Sequence, residues 1–214
     1  MKNIHKSSNS RLLHNKVSDI TITDIIRNRR SVYADEFTGE NISDEIIEEI
    51  LTNATWAPTH KLTEPWRFIV FKGEYLKEYG LYLSEYYKEY YKNKLLPDDF
   101  LLKHNFLKEY PLKAACMIGI VFVKNSKSKL PEWEELAAVS SAVQNMALTC
   151  TSYNLGSYWS TPDGAIDFVS KFGLKENEQS LGLFYIGCYD HLNYKSKKKR
   201  SPLANKVSWL THKK

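Results

Sequence analysis

The longest apolar run in this 214-residue chain covers residues 114–123, and its length is the strongest constraint on the fold. A helix that spans a bilayer needs about 20 such residues, so this run does not predict a membrane protein. A short, uninterrupted run of branched and aromatic residues is typical of a strand that is buried on both faces. The sequence therefore predicts a globular protein built around a sheet.

The segments on either side extend this prediction to a mixed fold. Residues 66–71 alternate in a β-rich pattern and residues 182–189 form another apolar run, so both are predicted strands. Helical patterns are found at residues 22–29, after Ser43 as far as Trp56, at 73–92, at 133–151 and at 166–172. Because these helices and strands do not alternate as βαβ units, we predict a single α+β domain.

The N-terminal segment differs from the rest of the chain. Residues 1–19 are polar and aperiodic, which predicts a flexible arm, and residues 20–214 are predicted to form the domain. The arm lacks the apolar stretch of a secretory signal. Three widely spaced cysteines, Cys116, Cys150 and Cys188, offer neither a disulfide framework nor a zinc site. Both observations favour a reduced, cytoplasmic location.

Net charge and motif content exclude several classes of function. Thirty Lys and Arg against 25 Asp and Glu give a net charge of +5, and five of the six residues at 195–200 are basic. A nucleic-acid-binding face would spread its basic residues more widely, so a nucleic-acid-binding protein that uses this run is a remote alternative. The sequence contains no dinucleotide fingerprint, P-loop, serine-hydrolase elbow, HExxH or CxxC motif, and we predict no metal.

Four polar segments combine groups that are suited to binding. Arg29, Arg30 and Ser31 place two guanidiniums and a hydroxyl together, a combination that matches phosphate oxygens. The others are a proline-pinned loop at 57–66, a glycine and hydroxyl segment at 154–162, and a basic segment at 198–203 that precedes apolar residues. Each also has a plain structural interpretation: a helix end, a turn, a capped helix before a strand, and a solvated tail.

In this order and spacing, the four segments resemble the nitroreductase family of FMN-dependent oxidoreductases, and in particular its small single-domain branch. The resemblance extends over residues 22–209 and includes the segments at 141–148 and 182–187. It implies a central antiparallel sheet wrapped by helices, with a C-terminal extension exchanged between the subunits of a homodimer. It also implies FMN at the dimer interface and NAD(P)H as the electron donor.

The resemblance implies roles for nine residues. Arg29, Arg30, Ser31 and Arg200 would hold the FMN phosphate and ribityl chain; Trp159, Ser160 and Thr161 would lie along the isoalloxazine; and Trp56 and His60 would reach the flavin from the other subunit. No catalytic side chain is expected, because the flavin itself accepts and donates the hydride. NAD(P)H would reduce FMN and leave before a nitroaromatic, quinone or similar small acceptor enters the same site.

Three positions depart from the pattern of many family members. Leu62 and Glu64 stand where Asn and Gln are frequent, and Tyr33 stands where Lys or Arg is frequent. Leu62 offers no side-chain hydrogen bond to the flavin edge, and without a cation at position 33 the anionic reduced flavin is stabilised less. The same fold also hosts FMN-dependent dehydrogenases, dehalogenases and flavin-modifying enzymes, which stay open as alternatives.

A row of tyrosines marks the predicted helix at 73–92. Its members, at steps of three or four residues on one helix face, are Tyr75, Tyr79, Tyr82, Tyr86 and Tyr90. Such a stripe is typical of a face that packs on a core. Since the family varies most in the helices over its site, an aromatic channel for the acceptor is the alternative.

Overall fold

The computed structural model describes residues 21–211 except for 126, 128, 197 and 198. The arm predicted at residues 1–19 lies outside the described residues. The chain folds around a four-stranded antiparallel sheet in the order β1-β2-β4-β3. Its strands are β1 (Trp66–Phe71), β2 (Cys116–Val123), β3 (Leu155–Ser160) and β4 (Glu178–Cys188). The three strands predicted from the sequence are confirmed, and β3 lies within the glycine and hydroxyl segment.

Seven helices are present in the described part of the chain: α1 (Ile22–Asn28), α2 (Asp44–Thr55), α3 (Glu74–Tyr86), α4 (Lys88–Lys92), α5 (Pro97–Glu109), α6 (Glu132–Ser152) and α7 (Asp163–Ser170). Together with the sheet they confirm the α+β class. The predicted helix at 73–92 is divided at Tyr87, and the helix predicted from residue 166 begins earlier, directly after Pro162. Periodicity does not predict α5, although a proline at its first position and two aspartates behind it are helix-start signals.

Helices cover both faces of the sheet. On one face, α2 and α6 pack against alternate strand residues, including Ile118 and Phe184. On the other face, α3, α7 and the segment at residues 32–37 pack against the residues in between, such as Met117 and Tyr185. Strand β2 is buried on both faces, as its apolar run predicts. None of the helices in the described residues is both long and apolar enough to cross a membrane.

Two facing glycines bring the segment at residues 32–37 onto the sheet. Gly156 on β3 and Gly187 on β4 are paired in register, and the ring of Phe37 lies against both. A Cβ atom on Gly156 would lie 2.7 Å from that ring, and a Cβ atom on Gly187 would overlap it. Glycine at both positions therefore permits this close approach, which aligns Ser31 with the edge strand β3.

After β4, Tyr189 and Tyr194 still pack against the core, and the exposed C-terminal extension begins at residue 199. All described residues from 199 to 211 are exposed, including the apolar Leu203, Trp209 and Leu210. Within a single chain, this end does not pack against the core as its apolar residues predict. A second subunit would supply the surface that covers such an extension, and the exchange between subunits stays a prediction.

An ion pair joins β1 to the start of β4. Arg67 donates two hydrogen bonds to the Glu178 carboxylate, from Nε at 2.9 Å and from a terminal nitrogen at 2.6 Å. The same carboxylate accepts from the Lys175 backbone N–H at 2.9 Å. These hydrogen bonds, those from Arg67 above all, lower the pKa of Glu178. The Glu178 side chain is only 2% exposed, so its negative charge depends on Arg67 rather than on solvent.

We predict that Arg67→Gln destabilises the protein in a pH-dependent way. A hydrogen-bonded ion pair with one partly exposed member contributes about 1–2 kcal/mol at neutral pH. Because the pKa of Glu178 is lowered on folding, this contribution is complete above the unfolded value of about 4.3 and disappears as pH falls through the folded value. Urea unfolding of wild type and Arg67→Gln between about pH 3 and 7 should give stability curves that converge in acid.

The matched control is Lys124→Gln, which removes an ion pair with Glu132 in which both side chains are about half exposed. This variant should change stability little, because solvent screens such pairs. A stability difference between wild type and Arg67→Gln that stays constant across the pH range would contradict the prediction.

Candidate functional site

Three arginines from opposite ends of the chain form a cationic cluster. Arg29 caps the C-terminus of α1, where its backbone N–H donates to the Ile25 carbonyl at 2.9 Å. Burial, followed by the charges of Arg200 and Arg30, lowers the pKa of Arg29, so both guanidiniums lie close enough to act on it. Among the described residues, none of the three pairs with a carboxylate. The cluster therefore lacks a counter-charge and is suited to an anion.

Arg30 is held differently from Arg29. One of its terminal nitrogens donates to the backbone carbonyls of Arg27 at 2.8 Å and of Arg29 at 2.6 Å, which satisfies the end of α1. Its Nε atom is buried without a hydrogen-bond partner among the described residues. Arg30 also lines a cavity of about 210 Å³ whose wall includes Thr151 and Asn154, at the C-terminal end of α6. Any contact with a ligand would therefore come from the nitrogens that the helix end does not use.

Ser31 lies at the edge of the sheet. It forms a parallel bridge with Ser157 on β3, and the Val32 backbone N–H donates to the Ser157 carbonyl at 3.1 Å. Ser31 itself is exposed. Because Ser31 follows the arginine pair directly, a hydroxyl and the cationic cluster lie together beside the β3 edge.

The end of β3 and the turn after it form the next part of the site. Trp159 is partly buried against the core, and its indole nitrogen donates to the Leu181 carbonyl at 2.8 Å. Ser160 faces the other side of the sheet and lines an aromatic cavity. Thr161 is exposed in the turn before α7. These consecutive residues therefore include an anchored indole and two hydroxyls that a ligand can reach.

Trp56 and His60 lie in a different region, between α2 and β1. Trp56 ends α2 and is 81% exposed. The His60 Nδ1 atom lies 2.6 Å from a carboxylate oxygen of Glu134, near the N-terminus of α6. This contact orients the imidazole and directs its other nitrogen away from Glu134. Sequence reasoning missed Glu134, because its 74-residue separation from His60 leaves no local signal.

The loop that follows His60 carries unusual backbone strain. Lys61, Leu62 and Glu64 have positive φ angles of 54°, 53° and 44°, although none of them is glycine. Each such residue costs about 1–3 kcal/mol, and they concentrate at ligand clamps and active sites. Leu62 is 83% exposed, so burial of its side chain does not offset the strain within one chain. The loop is therefore a candidate for contact with another molecule.

The two groups of candidate residues lie at opposite ends of α6. Arg30 shares a cavity with Thr151 near the C-terminus of this helix, whereas His60 contacts Glu134 near its N-terminus. With a rise of about 1.5 Å per residue, positions 134 and 151 are roughly 26 Å apart. One cofactor-sized ligand does not extend over this distance, so the two groups meet at a single site only if two chains contribute.

The chemistry available in the site is that of cations, hydroxyls and aromatic rings. Within the described residues, no three His, Cys, Asp or Glu side chains are grouped so that they could hold a metal ion. The side chains of Cys116, Cys150 and Cys188 are buried, and burial raises the pKa of each. They are therefore protonated at neutral pH and unsuited to nucleophilic chemistry.

Known proteins similar to this chain include enzymes of two activities. The model described as the nitroreductase family matches residues 26–188. The Bacillus subtilis protein YfhC, named a putative NAD(P)H nitroreductase, is 27% identical over 189 residues, which cover 87% of this chain and 93% of YfhC. The iodotyrosine deiodinase of Hydra vulgaris is 34% identical over 149 residues, which cover 60% of this chain and 54% of the deiodinase.

The structural comparison shows a shared fold. The structure of the FMN-dependent nitroreductase NfnB from Mycobacterium smegmatis, in complex with NADPH, matches with a TM-score of 0.67 and 15% sequence identity. The match covers 88% of this chain and 97% of the NfnB chain. At this identity it shows the shared fold alone. The family model, however, covers most of the chain and includes Arg29, Ser31 and Trp159. The chain belongs to the nitroreductase family.

Proposed function

We propose that this protein is an FMN-dependent oxidoreductase that uses NAD(P)H to reduce nitroaromatic, quinone or similar small acceptors. The observation that carries the proposal is the cluster of Arg29, Arg30 and Arg200, which lacks a carboxylate partner among the described residues. The dianionic phosphate of FMN supplies the missing negative charge through charge-assisted hydrogen bonds. The family, and the structural similarity to the FMN-dependent nitroreductase NfnB in complex with NADPH, support the same cofactor and donor.

The phosphate end of the site fits FMN. Arg29, Arg200 and the exposed Ser31 would hold the phosphate and the ribityl chain, with Arg30 beside them. The buried Arg30 Nε atom is a donor without a partner among the described residues, as expected where a polar ligand completes a site. Arg200 lies beyond the residues that the family model matches, so its role rests on its electrostatic contact with Arg29.

The ring end of the site uses the exit from β3. Trp159, held by its hydrogen bond to the Leu181 carbonyl, would border the isoalloxazine together with Ser160 and Thr161. When bound, FMN supplies the hydride chemistry, so the chain itself needs only to bind the cofactor, orient it and exclude water. No side chain is therefore assigned a catalytic role. NAD(P)H and the acceptor would occupy this site in turn, in a ping-pong cycle.

A homodimer would bring the two groups of site residues together. Trp56 and His60 lie at the far end of α6 from the arginine cluster, so each chain would contribute them to its partner's flavin. The strained loop with Leu62 and Glu64 would contact the same flavin through its backbone. The exposed C-terminal extension would lie on the other subunit. A cytoplasmic location and the absence of a nucleic-acid partner stay predictions.

One departure from the family pattern has a clear structural counterpart. Tyr33 is 54% exposed, and its ring centroid lies 5.0 Å from that of Tyr158. It offers a neutral ring where many family members carry a cation. We therefore expect the anionic reduced flavin to be stabilised less than in those relatives.

A second candidate function is reductive dehalogenation. The deiodinase relative supports it, because its 34% identity is higher than that of YfhC, although over a shorter stretch. This candidate keeps FMN and changes only the acceptor. No particular observation favours the dehydrogenase and flavin-modifying alternatives.

The test of the proposed function uses the purified protein. It should be yellow or take up added FMN, and NADH or NADPH should bleach the flavin absorbance under anaerobic conditions. A nitroaromatic or quinone should then restore the absorbance. Restoration by iodotyrosine alone would favour the deiodinase activity. If FMN binds and neither nucleotide bleaches it, the proposal is wrong; a colourless protein that binds DNA with a steep salt dependence would support the nucleic-acid alternative.

We predict that Arg29→Ala and Arg200→Ala each weaken FMN binding. A charge-assisted hydrogen bond of this kind corresponds to about a ten- to hundred-fold change in affinity. Because both arginines would act on one dianion, the double variant should depart from additivity. Flavin fluorescence quenching gives the four affinities, and Lys206→Ala is the control, since Lys206 is an exposed lysine of the same C-terminal extension. Wild-type affinity in both single variants would show that the phosphate lies elsewhere.

We also predict that the protein is an obligate homodimer. Trp209 and Leu210 are 80% and 96% exposed in the single chain, and in a dimer both would be covered. Light scattering at micromolar concentration should give twice the chain mass for wild type and for Lys206→Ala. Trp209→Asp combined with Leu210→Asp should shift the mass toward the monomer and weaken FMN binding. A monomeric wild type would refute the prediction.

A further inference from the structure

The face of the sheet opposite α6 contains an aromatic cavity of about 280 Å³. It lies between α3, α4 and α5 on one side and the exit from β3 on the other. Its wall includes Tyr87, Tyr90, Tyr91, Phe106, Leu107 and Tyr110. The site proposed for FMN touches this cavity only through Ser160, so most of its wall has no role in the function proposed above.

The walls of the cavity are fixed by contacts with the rest of the fold. The Tyr87 hydroxyl accepts a hydrogen bond from the Gly164 backbone N–H at 3.1 Å, which ties the junction of α3 and α4 to α7. The Tyr110 hydroxyl accepts from the Ala34 backbone N–H at 3.2 Å. Helices α3 and α5 meet at Gly80, where an added Cβ would overlap the Lys108 carbonyl oxygen. The cavity is therefore a built feature of the fold.

The lining of the cavity carries no charge within the described residues. It consists of tyrosine, phenylalanine, leucine, proline and serine side chains. Burial raises the pKa of Tyr91 and Tyr110, so these hydroxyls are neutral. The nearby cations are engaged with ring faces: the Lys94 Nζ atom lies 3.8 Å from the Tyr90 centroid, and that of Lys103 lies 4.8 Å from the Phe106 centroid. A ligand inside the cavity thus finds rings and hydroxyls, and no carboxylate in the lining that could form an ion pair with an ammonium group.

The volume restricts the size of the ligand. A cavity of about 150 Å³ holds benzene, and pockets for drug-sized ligands begin at about 300 Å³. The observed volume of about 280 Å³ lies between these limits, which corresponds to one or two aromatic rings. Offset and edge-to-face contacts with the wall would hold such a ring system.

We propose that this cavity binds an uncharged aromatic compound of one or two rings and rejects aromatic amino acids. A zwitterion whose charged groups enter the cavity would place an ammonium and a carboxylate against walls that offer no ion-pair partner, which is unfavourable relative to water. This specificity separates the chain from a deiodinase, whose name gives an aromatic amino acid as its substrate. Identification of the ligand as the electron acceptor rests on the proposed function, whereas the binding does not.

The experiment compares two fluorinated probes on the purified, FMN-loaded protein. Fluorine NMR follows 4-fluoroacetophenone, which is neutral, and 4-fluorophenylalanine, which carries a related ring on an amino acid. We expect the neutral probe to bind at least about tenfold more tightly, a ratio equivalent to about 1.4 kcal/mol. Equal or tighter binding of the amino acid would overturn the proposal.

Paired variants show whether the probe occupies this cavity. Leu107→Trp fills the space from α5, and Leu102→Trp places the same ring on the same helix at a position that is 69% exposed. The first should weaken binding of 4-fluoroacetophenone at least about tenfold, and the second should leave it within about twofold. Equal binding by wild type and Leu107→Trp would place the probe elsewhere and overturn the proposal.

A second pair of variants tests the same assignment in case Leu107→Trp does not fold. Tyr90 and Tyr75 are similarly exposed, at 53% and 48%, and only Tyr90 lines the cavity. Tyr90→Ala should therefore weaken binding of the neutral probe severalfold, while Tyr75→Ala should not. Loss in both variants, or in neither, would refute the assignment. A wild-type protein that binds the probe in this cavity but is never bleached by NAD(P)H would refute the proposed function and leave this inference standing.

Discussion

Burial of the sheet on both faces is the constraint on which the rest of this structure depends. Strands β2 and β4 carry apolar side chains on both faces, so helices must cover both surfaces of the sheet. Polar binding groups are therefore excluded from its centre. Binding groups are left with the sheet edge and the loops. The paired glycines at 156 and 187 let Phe37 pack closely on the sheet. This contact places Ser31 along the β3 edge.

The cationic cluster shows how binding conflicts with stability in this fold. Burial and two neighbouring guanidiniums lower the pKa of Arg29, so the charged form is less favourable there than in water. The free chain therefore carries electrostatic repulsion that a bound dianion would remove. Hydrogen bonds from Arg30 to the end of α1, and from Arg200 to the Lys199 carbonyl at 2.9 Å, offset part of this cost. Binding of a phosphate there would therefore stabilise the folded chain.

Local signals in the sequence predict most helices and strands of this fold. They do not predict features that depend on contacts between residues far apart in the chain. The apolar run at 114–123 and the alternation at 66–71 become β2 and β1 because burial on a sheet depends on residue pattern alone. The position of Phe37 depends on glycines more than 100 residues away, and the contact of His60 depends on Glu134. Neither contact leaves a periodic signal in the sequence. The tyrosine row fits both interpretations made from the sequence: Tyr79 is buried in the core and Tyr90 is half exposed, and both line the cavity.

The contrast between the two parts of the site indicates how cofactor and acceptor are distinguished. The arginine cluster attracts negative charge without regard to the rings attached to it, whereas the aromatic cavity selects rings and disfavours charge. Ser160, at the exit from β3, lines the cavity and would also border the isoalloxazine, so the proposed flavin site and the cavity would be contiguous. Most of the cavity wall comes from α3, α4 and α5, and these helices contribute nothing to the arginine cluster. Substitutions in these helices could therefore change the proposed acceptor and retain the phosphate site. If the cavity holds the acceptor, as proposed, the helices between β1 and β2 are the part of this chain that sets its specificity.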